Sequence, residues 1–276
     1  IALSTYPIVI MHGILNSKRN MRFAEASLHE MYPDAYILNM EIGNGIFDSF
    51  LMTLNDQLEE FSNKIKNDKR LENGFVALCH SQGSILCRGY LQKYNNPPMK
   101  RLVTTAGIHA GFYCGNASAC PNIGSWTTPY MDRIDEFMYG KGQYMLSAAG
   151  FWRSPYKLEQ YKETSLYLAD LNNEVKINFT YIERIKSLEL FVMVGAVKDD
   201  IIRPWDTSLF NYYKPGSEFE MELMKDREVY TKLGLDYLDQ QKKLIQIINN
   251  EFDHHDFWQE NGQSWLMDNV YIYLQE

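Results

Sequence analysis

The chain is 276 residues long, 45% hydrophobic and 22% charged, which suffices for one large core or a core with an insertion. A net charge of −8, with no run of Lys and Arg, excludes a nucleic-acid backbone as the main partner. No apolar stretch reaches the roughly 18–20 residues of a membrane span, so stable membrane insertion is not expected. Aromatic residues make up 14%, enough either for a tyrosine-rich core and surface or for an apolar cleft.

In chain order, the apolar run Tyr6 to Met11 reads as a central strand that leaves into a loop at His12-Gly13-Ile14-Leu15. Residues 20–31 carry helical spacing (Phe23, Ala24, Leu28, Met31), and 35–42 read as a second strand. Residues 46–66 place Phe47, Phe50, Leu54, Leu58, Phe61 and Ile65 at intervals of three to four, predicting one long amphipathic helix. The run Phe75 to Cys79 is a buried strand, and a helical pattern from Gln82 to Tyr94 stops at Asn95-Asn96-Pro97-Pro98. Arg101 to Gly107 is another strand, ending at Ile108-His109. Alternation of strand and helix predicts a mostly parallel sheet with right-handed crossovers, whose ligands bind beyond the carboxyl ends of the strands.

The chemistry centres on Cys79-His80-Ser81-Gln82-Gly83. Strand, tight turn with a serine, then helix is the layout of a nucleophile elbow, although its usual form is G-x-S-x-G. A serine hydroxyl must stand clear of the sheet to meet a base and a substrate, and the first N–H groups of the next helix face any charge that develops there. The competing reading is a buried strand with Ser81 as an ordinary helix N-cap. By position, the backbone N–H groups of Ile14 and Gln82 form the oxyanion site, while His12 holds its loop rather than acting as a base.

The alternation breaks from 112 to about 185. This insert, rich in aromatics and methionine, is read as helices over the sheet's upper edge. Single side chains of such a stripe belong to the core in most cases; as a group some must line a cleft above Ser81, and their soft walls suit an acyl chain. Phe112, Trp126, Met138, Phe151 and Trp152 are the candidates.

Strand alternation resumes at Leu188 to Val197 and is followed by Asp199, placed where the acid of a triad belongs; Asp206 is its rival. The last strand, Leu244 to Ile248, runs into Asp253-His254-His255-Asp256. The order Ser81, Asp199, His254 is that of the α/β-hydrolase triad, with His255 competing for the third place. A metal site built from the histidine pair with Asp253 and Asp256 is disfavoured because adjacent side chains diverge. No metal or cofactor is expected. Cys114 and Cys120 bracket a small-residue loop and read as a short disulfide, whereas Cys79 and Cys87 are expected to be buried free thiols. The sequons at Asn116 and Asn178, with the disulfide, favour the secretory route.

Over nearly its whole length the chain resembles the lysosomal palmitoyl-protein thioesterase family. The likeness shows in Val9-Ile10-Met11-His12-Gly13, His80-Ser81-Gln82-Gly83, Pro97-Pro98-Met99, Gly107-Ile108-His109-Ala110-Gly111, Leu168-Ala169-Asp170-Leu171-Asn172, Phe191-Val192-Met193-Val194 and Asp253-His254. The resemblance implies an α/β-hydrolase with a helical cap (core 1–111 and 188–276, cap 112–187). It implies a nucleophile at Ser81, an acid at Asp199, a base at the first histidine of the pair, His254, and oxyanion contacts at Ile14 and Gln82. The implied activity is removal of palmitate and other long acyl groups from S-acylated cysteines in a lysosomal or secreted glycoprotein, glycosylated at Asn178 in preference to Asn116. Cys79 departs from the family's elbow glycine, and Lys198 from its glycosylatable asparagine. The alternatives are an oxygen-ester lipase of the same fold, a non-catalytic lipid-binding relative, and a metal-dependent hydrolase using His254 and His255.

Overall fold

The computed structural model describes residues 5–115 and 130–275. Its centre is a six-stranded sheet of β1 (Ile8–Met11), β2 (Ile37–Met40), β3 (Phe75–His80), β4 (Met99–Thr105), β5 (Leu190–Ala196) and β8 (Leu244–Asn249), in the order β2-β1-β3-β4-β5-β8. Every neighbouring pair in it is parallel. A two-stranded antiparallel ribbon, β6 (Tyr212–Tyr213) with β7 (Met221–Glu222), stands apart.

The inner strands are buried on both faces and read as apolar runs, while the edge strands β2 and β8 are only partly covered; the two-residue period sorts the side chains between two cores. Ile8, Ile10, Val76, Leu78, Val103, Val192 and Val194 pack with α1 (Arg22–Met31) and the C-terminal helix Glu260–Asn269. Val9, Met11, Ala77, Cys79, Leu102, Phe191 and Met193 pack on the other side, against α3 (Leu54–Asn67) and α4 (Gln82–Lys93). The result is a parallel sheet covered by helices on both faces, as the strand–helix alternation predicts, in the α/β-hydrolase architecture that the resemblance implies.

The long helix expected over 46–66 is two helices. A short α2 (Asp48–Leu51) ends at Met52, whose backbone is extended, and Thr53 then caps α3 with its side chain accepting from the Asp56 N–H at 3.2 Å. The apolar spacing runs through the break unchanged, because both helices turn their apolar residues inward. The break aims the Ser49 carbonyl at the site. It accepts from Gln57 Nε2 at 3.0 Å, Gln82 Nε2 at 2.9 Å and Ser147 Oγ at 2.9 Å.

Between β4 and β5 no strand occurs among the described residues. The segment holds α5 (Met131–Tyr139), helices Leu158–Thr164, Leu168–Leu171 and Phe179–Lys186, and single-turn pieces. Arg88 of α4, fully buried, ties this segment down: it donates to Asn172 Oδ1 at 2.8 Å and to the His109 carbonyl at 3.1 Å.

Cys79 and Cys87 are not free thiols. They form a disulfide between the end of β3 and the second turn of α4, with their Cα atoms 6.6 Å apart. The separation of 8 residues spans a sharp turn that folds the helix back along its strand, a proximity that sequence distance does not reveal. Cys114 is disulfide-bonded as expected. Cys120, Asn116 and Trp126 lie outside the described residues.

Candidate active site

Ser81 sits between β3 and α4 with φ +54° and ψ −125°. Such a backbone costs a non-glycine residue about 1–3 kcal/mol and persists only where surrounding structure enforces it. Two close approaches do so. A Cβ on Gly83 would lie 2.5 Å from the His12 carbonyl oxygen, so α4 starts hard against the end of β1. A Cβ on Gly13 would lie 2.8 Å from Ser81 Cβ and 3.2 Å from its Oγ. The His12-Gly13-Ile14 loop therefore lies directly over the serine and needs glycine there for space. Ser81 Oγ is buried and makes no hydrogen bond among the described residues.

His12 anchors this loop. Its Nδ1 is 2.8 Å from the Gly13 carbonyl and its Nε2 is 2.9 Å from Glu41 Oε1. A carbonyl can only accept, so Nδ1 carries the proton; in the neutral ring Nε2 has no hydrogen to give, and it and Glu41 Oε1 make no hydrogen bond among the described residues. Holding that carbonyl also fixes the plane of the Gly13–Ile14 peptide and turns the Ile14 N–H the opposite way. Burial lowers the His12 pKa against the opposing pull of the Gly13 carbonyl and Glu41.

Asp199 and His254 meet across the ends of β5 and β8. His254 Nδ1 donates to Asp199 Oδ2 at 2.8 Å, and both residues are buried. The other carboxylate oxygen accepts the N–H groups of Ile201 at 3.0 Å and Ile202 at 2.8 Å, which leaves the acid no freedom to turn. With Nδ1 protonated toward Asp199, the lone pair of His254 is on Nε2. The ring packs against His80, the residue before Ser81, with centroids 4.7 Å apart. His80 is fully buried, with Nδ1 3.1 Å from Thr105 Oγ1; burial first, then the neighbouring His254, pushes its pKa far down. It is a neutral plate against the His254 ring, a contact that exists only once the ends of β3 and β8 are brought together.

The rivals lie elsewhere. Asp206 faces Asn211 at 3.5 Å, and burial raises its pKa. His255 is half-exposed and packs edge-on to Trp258. His109 is buried, stacked 4.8 Å from Phe210 and bonded to Thr104 Oγ1 at 3.0 Å, so it serves the core. Asp200, Asp253 and His255 bring ligand atoms within 4.8 Å of one another, a different grouping from the histidine pair. Asp253 Oδ1 already accepts the N–H groups of His255 and Asp256, at 2.7 and 3.1 Å.

Gln82 is buried with its side-chain Nε2 committed to Ser49 and, at 3.1 Å, to Gln57, so its backbone N–H at the helix start is the donor that remains for a ligand. Ile14 is partly buried against the core.

Seven residues past the end of β4 begins a cavity of about 450 Å³ lined by Phe112, Cys114, Met131, Arg133, Ile134, Phe137, Met138 and Trp152. Three of the expected acyl contacts, Phe112, Met138 and Trp152, line it. Phe151 does not; it is buried behind, its ring edge-on to Phe112 at 6.4 Å. Trp152 is fixed by its Nε1 donating to the buried Asp135 at 2.7 Å, and burial raises the pKa of that acid. Asp135 was invisible in the sequence because a single acid on an amphipathic helix reads as solvated.

A family model described as palmitoyl protein thioesterase matches residues 7–254. Palmitoyl-protein thioesterase 3 of Dictyostelium discoideum is 35% identical over 247 residues, which cover 88% of this chain and 83% of the relative. Palmitoyl-protein thioesterase 1 of Caenorhabditis elegans is 28% identical over 273 residues, covering 92% and 87%. Among solved structures, an extracellular alpha/beta-hydrolase from a Paenibacillus species superposes with a TM-score of 0.52 at 13% identity, over 98% of this chain and 99% of that one. That likeness speaks to the fold alone. The family match spans nearly the whole chain, from the first strand to the histidine that meets Asp199: this protein belongs to the palmitoyl protein thioesterase family.

Proposed function

We propose that this chain hydrolyses the thioester between a long-chain acyl group, palmitate above all, and the cysteine of S-acylated proteins or smaller thiols. The observation that carries this reading is the Asp199–His254 pair, 2.8 Å long and buried, with its imidazole packed against His80, the residue before the strained Ser81.

Ser81 Oγ attacks the thioester carbonyl while His254 Nε2 takes its proton, and Asp199 stabilises the imidazolium that forms. The free hydroxyl gains its hydrogen bond to Nε2 as substrate seats, since such contacts are commonly loose before binding. The backbone N–H groups of Gln82 and Ile14 receive the oxyanion, each worth about 3–4 kcal/mol. Cysteine thiolate departs, water activated by His254 attacks the acyl-enzyme, and the fatty acid leaves. Residues 112–187 act as the cap, and the cavity walled by Phe112, Met138 and Trp152 takes the acyl chain. No cofactor or metal enters the reaction.

A lysosomal or secreted location with a glycan on Asn178 fits two observations. The chain carries disulfides. The sequon stands at the start of helix Phe179–Lys186, beside the exposed Phe179 and Thr180. Among the described residues no helix is long and apolar enough to cross a membrane.

The test is Ser81→Ala assayed with thioesters graded by acyl length, beside oxygen esters of the same acids. The reading requires a folded variant with kcat down by roughly three or more powers of ten, and a parent that prefers long acyl thioesters. Retained turnover in Ser81→Ala would remove Ser81 from its role. A preference for alkyl oxygen esters would make the protein a lipase.

A further inference from the structure

Beside the site lies an apolar surface that the reaction does not use. Phe47 is 74% exposed, Tyr144 73%, Leu15 55%, Leu51 54% and Met145 54%. They come from three segments that meet at the carboxyl edge of the sheet. Ser17 Cβ lies 3.3 Å from where a Cβ on Gly45 would be, which joins the loop of Leu15 to the turn before α2. Ser147 Oγ bonds the Ser49 carbonyl, which joins α2 to the segment that follows Met145. Gln82 bonds the same carbonyl, so the patch is anchored one residue from Ser81. Protruding apolar side chains gathered in this way mark an interaction surface.

The charges on these segments say what covers it. Lys18 and Arg19 follow Leu15, and Lys141 precedes Tyr144. All three are exposed, and none forms an ion pair among the described residues. The acids of the same segments are Glu41, beside the His12 ring, and Asp48, whose Oδ2 accepts the Asn44 backbone and side-chain N–H groups at 2.7 and 2.9 Å; both are anionic carboxylates, and the three cations outnumber them. The chain carries a net charge of −8, so this gathering of cations stands against an acidic background.

We propose that this face docks on an anionic lipid bilayer, seating Phe47, Leu51 and Tyr144 among the headgroups with Lys18, Arg19 and Lys141 as a basic collar. This gives the thioesterase reading its partner surface, since S-acylated cysteines are held at bilayers, and it rests on that reading only for its purpose. Apolar burial holds the protein in place, and the cations select the lipid and orient the mouth toward it.

The test is co-sedimentation of the whole chain with phosphatidylcholine vesicles, and with vesicles in which about a third of the lipid is phosphatidylserine. The chain should partition more strongly to the second, and less so as salt is raised. Phe47→Ser/Leu51→Ser/Tyr144→Ser should cut partitioning at least roughly tenfold on both. Lys18→Glu/Arg19→Glu/Lys141→Glu should abolish the difference between them. Both variants should keep parental turnover of a short, water-soluble thioester. Ser81→Ala should bind vesicles as the parent does, so that a failure of the catalytic assignment and a failure of this one are told apart. The proposal is overturned if the parent does not partition, if both surface variants partition as the parent does, or if light scattering shows the face pairing two copies of the chain instead.

Discussion

Breaking the Cys79–Cys87 crosslink tests both the structure of the elbow and the departure of this chain from the family's elbow glycine. The bond closes a loop with a sequence separation of 8. For a loop that short, chain entropy puts the restriction of the unfolded state at about 2.5 kcal/mol. With an unfolding entropy of about 2.1 cal/mol/K per residue over 276 residues, that is about 4 °C in Tm. Reductant would also attack the bond at Cys114, so the clean perturbation is Cys79→Ala, Cys87→Ala and their double variant, each unfolded in urea. Either single change already loses the whole crosslink as well as the packing of one fully buried sulfur. The double loses the crosslink once. The two single penalties should therefore exceed the double by about 2.5 kcal/mol, a coupling far above the few tenths seen for independent sites. Because the bond straddles Ser81, kcat should fall with KM little changed. Near-additive penalties, with two titratable thiols in the native protein, would show that the thiols are free and refute the crosslink.

Gly13→Ala should drop kcat by a factor on the order of 100 or more, because its methyl would lie 2.8 Å from Ser81 Cβ; steady-state kinetics on a folded variant checks it. Asp199→Asn should lower kcat by roughly 10⁴ while thermal unfolding shows the fold intact, since the imidazole loses its tautomer-fixing partner. Met138→Trp should shift the preferred acyl chain shorter, read from relative kcat/KM across a graded thioester series, by filling part of the cavity. Stability should fall as pH drops below about 6.5. His80 and His109 are held neutral by burial, their folded pKa values lie far below the unfolded value, and the unfolded chain takes up protons first. Each contributes up to about 1.4 kcal/mol per pH unit in that range. His109→Gln should flatten the dependence of Tm on pH between 6.5 and 5, and an unchanged slope would contradict the burial argument.

The inner strands were legible because burial on both faces leaves apolar runs, whereas β8, broken by Gln246 and only partly buried, showed through its isoleucines. Ser81, Asp199 and His254 could be read because each follows a strand legible in this way. The break at Met52-Thr53 could not, since the apolar period passes through it unaltered. Nor could the ribbon Tyr212–Tyr213 with Met221–Glu222, where two residues per strand are too few to show alternation. The Cys79–Cys87 bond was misread because reasoning from a strand and a helix treats each alone, whereas the elbow folds one back on the other. His80 and Asp135 were passed over because their roles exist only in contact, with the His254 ring and with the Trp152 indole.

Nothing in the triad itself distinguishes a thioester from an oxygen ester, so selectivity must arise elsewhere. One source is the leaving group. A cysteine thiol has a pKa near 8.5, so its thiolate departs from the tetrahedral intermediate with little help from an acid, whereas an alkoxide needs a proton as the bond breaks. That proton would have to come from His254, whose ring is held on one side by Asp199 and on the other by His80. His254 faces the same place when it activates water for deacylation, so it can protonate a departing alcohol as well; the thiolate does without that help. The acyl chain is no such source: if the cavity lined by Phe112, Met138 and Trp152 takes it, as proposed, its contacts are the same in ester and thioester. On the proposed reading the leaving group selects the thioester and the apolar cavity selects the long chain, and an S-acylated cysteine brings both.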